Sequence, residues 1–442
     1  MTDGRLNERT GTIVLAVGIL SLEFAAAVTN FVASTLLPVV STDLNARNSL
    51  ALLIAGSTLG LFVALPLASR FLRLLGTNGT LGTGILAYIG GLVLAATAGT
   101  AWMFALGQFA NGLAGGLLAV FGISSAIRHL DERVRMRVVA ASSAMWILPA
   151  LVGPAATLGL EHLVGWRWTL LVPVPFVLFG RLLVVRAVGG DPPDESGRRP
   201  PARTLLIPVG AAGVVLSMGW WPLAIAGAAV ALAGTIAVLP EGTARFRPGT
   251  PASLGTMALF AVGYFGADSL ITVLLTAGLG MSLGQAAVVL SAAPLGWGVT
   301  SLFAARFTSE RGKHRLPAAG LGLAALGTAV PAAGLVVAIP FAVTVAAWAV
   351  GGIGVGLAYP GLYIRATTAG TSGFTAAELA TAVITAECTG QLLGRAVGGT
   401  LSSTGGSAGL LASYVLFAIL LLAAAGTARR TTSRRNISEQ SP

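Results

Sequence analysis

The stretch TIVLAVGILSLEFAAAVTNFVASTLLP, residues 12–38, decides how the chain is read. It exceeds the roughly 20 mostly apolar residues that a helix needs to cross a bilayer. Near its middle stands one acid, Glu23. An ionisable group at mid-membrane costs about 3 kcal/mol on insertion scales unless it faces a wet or paired interior. At helical spacing Glu23 shares a stripe with Ala27, Asn30 and Ser34, all small or polar, while the other faces carry Leu, Val, Ile and Phe. The stripe is expected to line a cavity. The run 252–277 repeats the design, with Asp268 at mid-depth and Tyr264, Thr272 and Thr276 on its stripe.

The composition extends this reading to the whole chain. Of 442 residues, 55% are hydrophobic and only 10% charged, and the mean hydropathy is +0.84. Water could not solvate such a surface, so the class is a polytopic membrane protein. The net charge of +11 is scattered in short clusters between apolar runs, which argues for membrane topology and against a nucleic-acid partner. Cys388 is the single cysteine and lies in an apolar run, excluding a disulfide framework and a cysteine metal site. His129, His162 and His314 lie in loops beside other charges without metal-ligand spacing. The first apolar run is longer than the roughly 7–15 residues of a signal-peptide core, so it is expected to stay as the first helix.

Cutting at charges, Pro and Gly gives six apolar runs near 12–38, 50–68, 81–99, 102–127, 138–160 and 166–185. A charged, proline-rich break follows at 189–203, then two shorter runs near 204–218 and 221–239. Beyond Arg245 and Arg247 come six more, near 252–277, 285–305, 316–337, 340–364, 376–401 and 408–427. The expected architecture is all-α with about fourteen spans: a six-helix bundle over 1–188, a linker and hairpin over 189–250, a second bundle over 251–428, and a basic tail over 429–442. Twelve spans is the alternative, if the 204–239 hairpin does not cross.

Cytoplasmic loops collect Arg and Lys near helix ends. With both termini inside, Arg70, Arg73, Arg128, Arg137, Arg186, Arg203, Arg245, Arg247, Arg315, Arg365 and the tail arginines fall inside, and only Arg47 and Arg167 fall outside. Leu67-Ala68-Ser69-Arg70-Phe71 and Phe303-Ala304-Ala305-Arg306-Phe307 end matching runs of the two halves, the weak internal repetition seen in transporter folds.

Further motifs sharpen the reading. Gly153-Pro154 follows Pro149 in the fifth run, where proline kinks a helix and glycine admits a neighbour. Gly165-Trp166-Arg167-Trp168 opens the sixth run, placing two indoles at an interface. Late in the chain stand Gly352, Gly354, Gly356 and Pro360, then Gly390-Gln391 and Gly394-Arg395 with Gly398-Gly399. Glu387, Gln391 and Arg395 fall at successive i, i+4 steps and form one polar ridge.

Together these motifs resemble the major facilitator superfamily, and within it the fourteen-helix drug:proton antiporters, over nearly the whole chain. The resemblance implies two six-helix bundles working by alternating access in the cell (inner) membrane. It also implies exchange of protons for a small hydrophobic or cationic substrate, no cofactor, and a monomer as the working unit. On this reading Glu23 and Asp268 are the coupling acids. Asn30, Ser34, Gln108, Asn111, Tyr264, Thr272, Glu387, Gln391 and Arg395 line the substrate cavity. Ser69, Arg70, Gly153, Pro154, Trp166, Arg167 and Trp168 belong to gating and structural motifs. The chain departs from the pattern twice. Ser69 stands where the family carries an acid before its basic residue, and Gln108 where the fourth helix carries an Arg.

An ATP-driven pump needs a Walker-type loop and a soluble nucleotide domain, and neither is visible, so the energy source is a gradient. A lipid or glycolipid flippase of the same fold is the alternative function. A membrane-embedded transferase is less consistent, because no loop gathers acids or histidines at catalytic spacing. The topology is testable with single cysteines at positions 196 and 165 in a Cys388→Ala background. Ser196→Cys is expected to label only from the cytoplasm and Gly165→Cys only from outside. Labelling of both from outside would refute the orientation.

Overall fold

A computed structural model of the protein describes residues 2–46, 50–188, 202–217, 220–304, 310–368 and 374–430, and all regular structure among them is helical. The linker 189–201, Arg306 and most of the basic tail lie outside the described residues, as do the side chains of Ser34, Ser69 and Pro154. In chain order the helices are α1 (Thr2–Asp43), α2 (Leu50–Ala96), α3 (Ala101–His129), α4 (Glu132–Met145), α5 (Ile147–Val164), α6 (Trp166–Thr169) and α7 (Val174–Val188). Then follow α8 (Leu206–Val215), α9 (Trp221–Val238), α10 (Thr250–Val273), α11 (Leu283–Ala304), α12 (Glu310–Ala333), α13 (Phe341–Ala366) and α14 (Ala376–Thr427).

Several boundaries have identifiable causes. The runs 50–68 and 81–99 are continuous in α2, which turns at Gly76, where φ is 65° and ψ −172°. Glycine adopts that conformation without steric cost. The runs 376–401 and 408–427 are likewise joined in α14 across Gly406, at φ 54°. The run 138–160 is divided between α4 and α5 at Trp146, whose φ of −83° and ψ of −18° stay helical, so one span continues through a local break in its hydrogen-bond ladder. Pro149 accounts for the break: it has no N–H to give the Met145 carbonyl, and its ring crowds that turn. Thr100 caps α3 by accepting from the Met103 N–H at 3.3 Å.

Among the described residues eleven helical segments are long and apolar enough to cross a membrane, and two shorter apolar ones, Gly56–Ala68 and Arg203–Val215, accompany them. Leucines 86, 106 and 163 and, later, Phe303, Ile419 and Leu422 are exposed. Such side chains belong against lipid, with the backbone satisfied inside each helix.

The chain forms two compact units. Unit 1 comprises Met1–Val138, Met145–Pro208 and Phe374–Thr381, and unit 2 comprises Val139–Ala144, Val209–Gly373 and Ala382–Pro442. In unit 1, α2 packs along α3 and α1 packs against α7 and α5. In unit 2, α13 packs against both α11 and α12. Glycines set these contacts. A Cβ on Gly112 would lie 1.9 Å from the Ser57 carbonyl oxygen of α2, and one on Gly352 would lie 2.0 Å from the Ala293 oxygen of α11. Each unit therefore holds at least one glycine-bearing helix at backbone contact with its neighbour, the packing available where lipid supplies no hydrophobic drive.

Substituting either glycine should force the helices apart. Gly112→Leu and Gly352→Leu are expected to lower stability by at least the ~1–3 kcal/mol of an overpacked core, read as a fall in the thermal midpoint of the purified protein. Gly115→Ala, whose Cβ would meet nothing within 4 Å, is expected to be neutral or slightly stabilising. An unchanged midpoint for both leucine variants would refute the backbone-contact account.

Candidate functional site

In unit 1, Glu23 is half-buried on α1, and its carboxylate accepts a hydrogen bond from the Trp146 side chain. The indole reaches it from the break between α4 and α5, so the Pro149 interruption also delivers the acid's donor. Along the same stripe Ala27 is fully buried and Asn30 exposed. The stripe is thus accessible at two levels and packed between them. Thr29, on the adjoining face, is hydrogen-bonded to the Tyr88 hydroxyl, and that hydroxyl also donates to the Ala25 carbonyl at 3.3 Å. This tie between α1 and α2 went unread in the sequence, where Tyr88 is the lone tyrosine of an apolar run.

Gln108 and Asn111 are buried on α3. Gln108 packs on Gly56 of α2, whose Cβ direction points to the Gln108 Cβ at 3.1 Å. Asn111 Nδ2 has no hydrogen-bond partner among the described residues. No hydrogen bond joins either amide to Glu23 among the described residues. A cleft of about 570 Å³ opens between α1 and α7, lined by Val17, Leu20, Ser21, Phe24, Met145, Pro175, Phe176 and Phe179, and Glu23 is not among its lining residues. Phe24 and Phe176 meet edge to face at 5.2 Å.

The Gly165–Trp168 motif forms a clasp within unit 1. Trp166 is buried and donates its indole N–H to Asp43 Oδ2 at 3.2 Å. Arg167 donates to the same oxygen at 3.0 Å and to the Ala98 carbonyl at 3.1 Å, with its guanidinium 4.2 Å from the Trp166 ring centre. The Asp43 carboxylate thus ties the end of α1 to the start of α6, and the Arg167 guanidinium extends the tie to the loop after α2. Trp168 is exposed, as an interface anchor should be. Gly153 lets α5 approach Phe31 of α1, with its Cβ direction 3.4 Å from that side chain. Arg70 is exposed.

In unit 2, Asp268 is exposed on α10 although Ala267 and Ile271 beside it are fully buried. Arg395 of α14 acts on it electrostatically. Tyr414 fixes this turn of α10 by donating to the Ala267 carbonyl at 2.8 Å. Thr272 is exposed one turn on, and the helix then widens into a π-turn over Leu274–Gly278, a feature frequent at functional sites. Thr276 lies in that π-turn and donates back to the Thr272 carbonyl at 2.7 Å.

The ridge of Glu387, Gln391 and Arg395 runs along α14, but its ends serve different partners. Glu387 accepts from the Tyr359 hydroxyl at 3.1 Å, whereas Arg395 faces Asp268's field. Tyr264 sits in a continuous set of rings: it stacks on Phe260 at 5.8 Å and on Trp348 at 6.0 Å, and Trp297 meets it edge-on at 5.9 Å. Trp297 in turn contacts Tyr359 at 5.5 Å. Of these rings the sequence reading took only Tyr264. The usable signal was the concentration of aromatic residues over 260–363. Among the described residues no group of three or more His, Cys, Asp or Glu side chains is placed to hold a metal.

Comparison with known proteins places this geometry. Two Mycobacterium tuberculosis relatives, each described as "Probable multidrug-efflux transporter", are 28% identical over 397 residues, covering 82% of this chain and 81% of theirs. The multidrug efflux pump SdrM of Staphylococcus aureus is 20% identical over 179 residues, 40% of each chain. The fold is shared with the fucose:proton symporter of E. coli at a TM-score of 0.67 and 16% identity, over 96% of this chain and 100% of that one. The human organic anion transporter MFSD10 also gives 0.67, at 13% identity, covering 95% of this chain and 99% of its own. The family model of the Major Facilitator Superfamily matches residues 19–267, more than half of a chain whose two helical units and multiple apolar spans are those of a membrane transporter, and the protein belongs to that superfamily.

Proposed function

We propose that this transporter exports hydrophobic or cationic drug-like compounds in exchange for protons, by alternating access in the cell membrane. The observation that carries the reading is Glu23, an acid in the middle of an apolar span whose hydrogen-bond donor is the neutral Trp146 indole. A carboxylate held by a neutral donor changes the net charge of its site when it takes a proton, which is what coupling requires. The relatives described as multidrug-efflux transporters support the substrate class.

The two acids take different roles. Glu23 carries the proton. Asp268, exposed beside rings and hydroxyls, attracts the positive charge of a substrate, with Arg395 limiting that attraction when the site is empty. The topology that goes with this is fourteen spans with both termini cytoplasmic. That count takes the eleven long segments of the described residues, the two shorter ones and, as a further span, the first part of α14. The bundles run over 1–188 and 251–428, with the two-helix insertion between them.

Flux into proteoliposomes with an imposed pH gradient tests the reading. The native protein is expected to concentrate a lipophilic cation against its gradient. Its substrate affinity should fall on acidification by at most about tenfold per pH unit, the limit for one exchanged proton. Glu23→Gln is expected to abolish uphill accumulation and flatten that pH dependence while downhill exchange survives. Asp268→Asn should weaken cationic substrates and spare neutral ones. Uphill transport by the Gln variant would move coupling to the ridge of Glu387 and Arg395. Movement of labelled lipid without movement of any drug would favour the flippase.

A further inference from the structure

The loop that leads into α10 is built more tightly than a connection requires. Two segments able to span a membrane, Trp221–Val238 and Thr250–Gly278, flank it, so residues 239–249 lie at headgroup depth. Within the loop Thr243–Arg245 is a 3-10 turn, entered at Gly242 with φ 93° and left at Phe246, whose φ of 49° and ψ of 45° are left-handed. A bulky side chain seldom takes that conformation, and where it does the surroundings must hold it there. Here they do. The Phe246 ring covers Gly255 of α10, where an added Cβ would lie 2.7 Å from the ring. The Arg247 N–H donates to the Gly242 carbonyl at 3.1 Å, and the Thr243 hydroxyl donates to the Pro240 carbonyl at 2.7 Å. The aliphatic stem of Arg247 lies over Gly242, whose Cβ direction comes 2.5 Å from the Arg247 Cδ.

The result is that Arg245 and Arg247 stand exposed on either side of an anchored ring. Glu241 is the only acid of the loop, and no ion pair joins it to either arginine among the described residues. Thr427, at the end of α14, shares a hydrogen bond with Thr256 of α10 at 2.9 Å, which brings the turn Ala428–Arg430 and the exposed Arg429 to the same end of α10. Membrane orientation depends on how many basic residues a loop holds and not on their conformation, so topology alone leaves the strained turn unexplained. We propose that Arg245 and Arg247, with Arg429 beside them, bind the phosphate of an anionic phospholipid at the start of α10. Guanidinium groups match phosphate oxygens in pairs, and a fixed turn spares the cost of ordering them. The lipid is the fitting source of that phosphate because its headgroup already lies at this depth. Leu232 and Ile236, one turn apart and exposed on the span that enters the loop, offer apolar surface to its acyl chain. The bound headgroup ties the entrance of the helix that carries Asp268 to the surrounding leaflet, whatever compound the protein moves.

The test is equilibrium binding to the purified full chain in dodecyl maltoside, read by a fluorophore on Ala244→Cys, an exposed position of the loop, in the Cys388→Ala background. The probes are dioleoyl phosphatidylglycerol, dioleoyl phosphatidylcholine and sn-glycerol 3-phosphate. Phosphatidylglycerol is expected to bind about tenfold more tightly than either of the others. Arg245→Gln combined with Arg247→Gln is expected to raise its Kd about thirtyfold, the loss for two arginines at an anionic surface. Arg186→Gln combined with Arg203→Gln removes the same charge from exposed positions of unit 1 and is expected to raise it less than about threefold. Gly255→Ala keeps both loop arginines but pushes on the Phe246 ring, and a loss of about fivefold is expected from the disordered turn. Equal losses in the two double variants, equal binding of the two lipids, or binding of the free phosphate ester as tight as that of phosphatidylglycerol overturns the proposal. Unchanged affinity in Gly255→Ala overturns it as well. Should that variant fail to fold, Phe246→Ala, which removes the anchoring ring and adds no atom, decides in its place.

Discussion

Helices surrounded by lipid gain nothing by hiding leucine from their solvent, so what holds them in place must be contact that lipid cannot offer. Here that contact is backbone against backbone. Gly112 of α3 meets Ser57, and Gly352 of α13 meets Ala293, at separations that leave no room for a Cβ. The polar side chains of interest hang on these clamped helices or on their partners: Gln108 and Asn111 on α3, Trp348 and Tyr359 on α13, Trp297 on α11. Because the clamp fixes the rotation of each helix about its axis, it also fixes which residues point inward.

On this frame the two halves have diverged. Their first helices each carry one acid, but the acids have different surroundings. Glu23 is half-buried and bonded by one indole, while Asp268 is exposed, in the field of an arginine and beside a wall of rings. An acid with a neutral partner responds chiefly to protons. An acid with a cationic neighbour and aromatic faces responds also to whatever cation displaces that neighbour's influence. The local packing thus gives the two acids different surroundings, which is the basis of the different roles proposed for them.

Much of this was legible in the sequence, and the reasons are physical. Span positions followed from the length of apolar runs, because backbone in hydrocarbon has few alternatives to helix. The acids stood out because a charge at mid-membrane has to be explained. What the sequence did not yield depends on contacts across helices. The break at Trp146 is local and follows from Pro149, yet its consequence, an indole on Glu23, joins residues far apart in the chain. The same holds for Tyr359 on Glu387 and for Asp43 under Trp166 and Arg167. An i, i+4 ridge shows that Glu387 and Arg395 share a face. It does not show that each has its own partner on another helix.

The departure at Gln108 gains a physical meaning from its position. The resemblance implies an arginine there, able to exchange charge with a neighbouring acid. In this protein the side chain is buried in the seam between α3 and α2, against Gly56, and no hydrogen bond joins it to Glu23 among the described residues. A guanidinium in that seam would be a buried charge lacking a paired acid, a costly arrangement that an amide avoids. The close approach of α2 and α3 is thus compatible with a neutral glutamine at 108 and not with an unpaired arginine. With a neutral amide on α3, unit 1 carries Glu23 as its mid-span titratable carboxylate among the described residues, and the proposed coupling in that half rests on it.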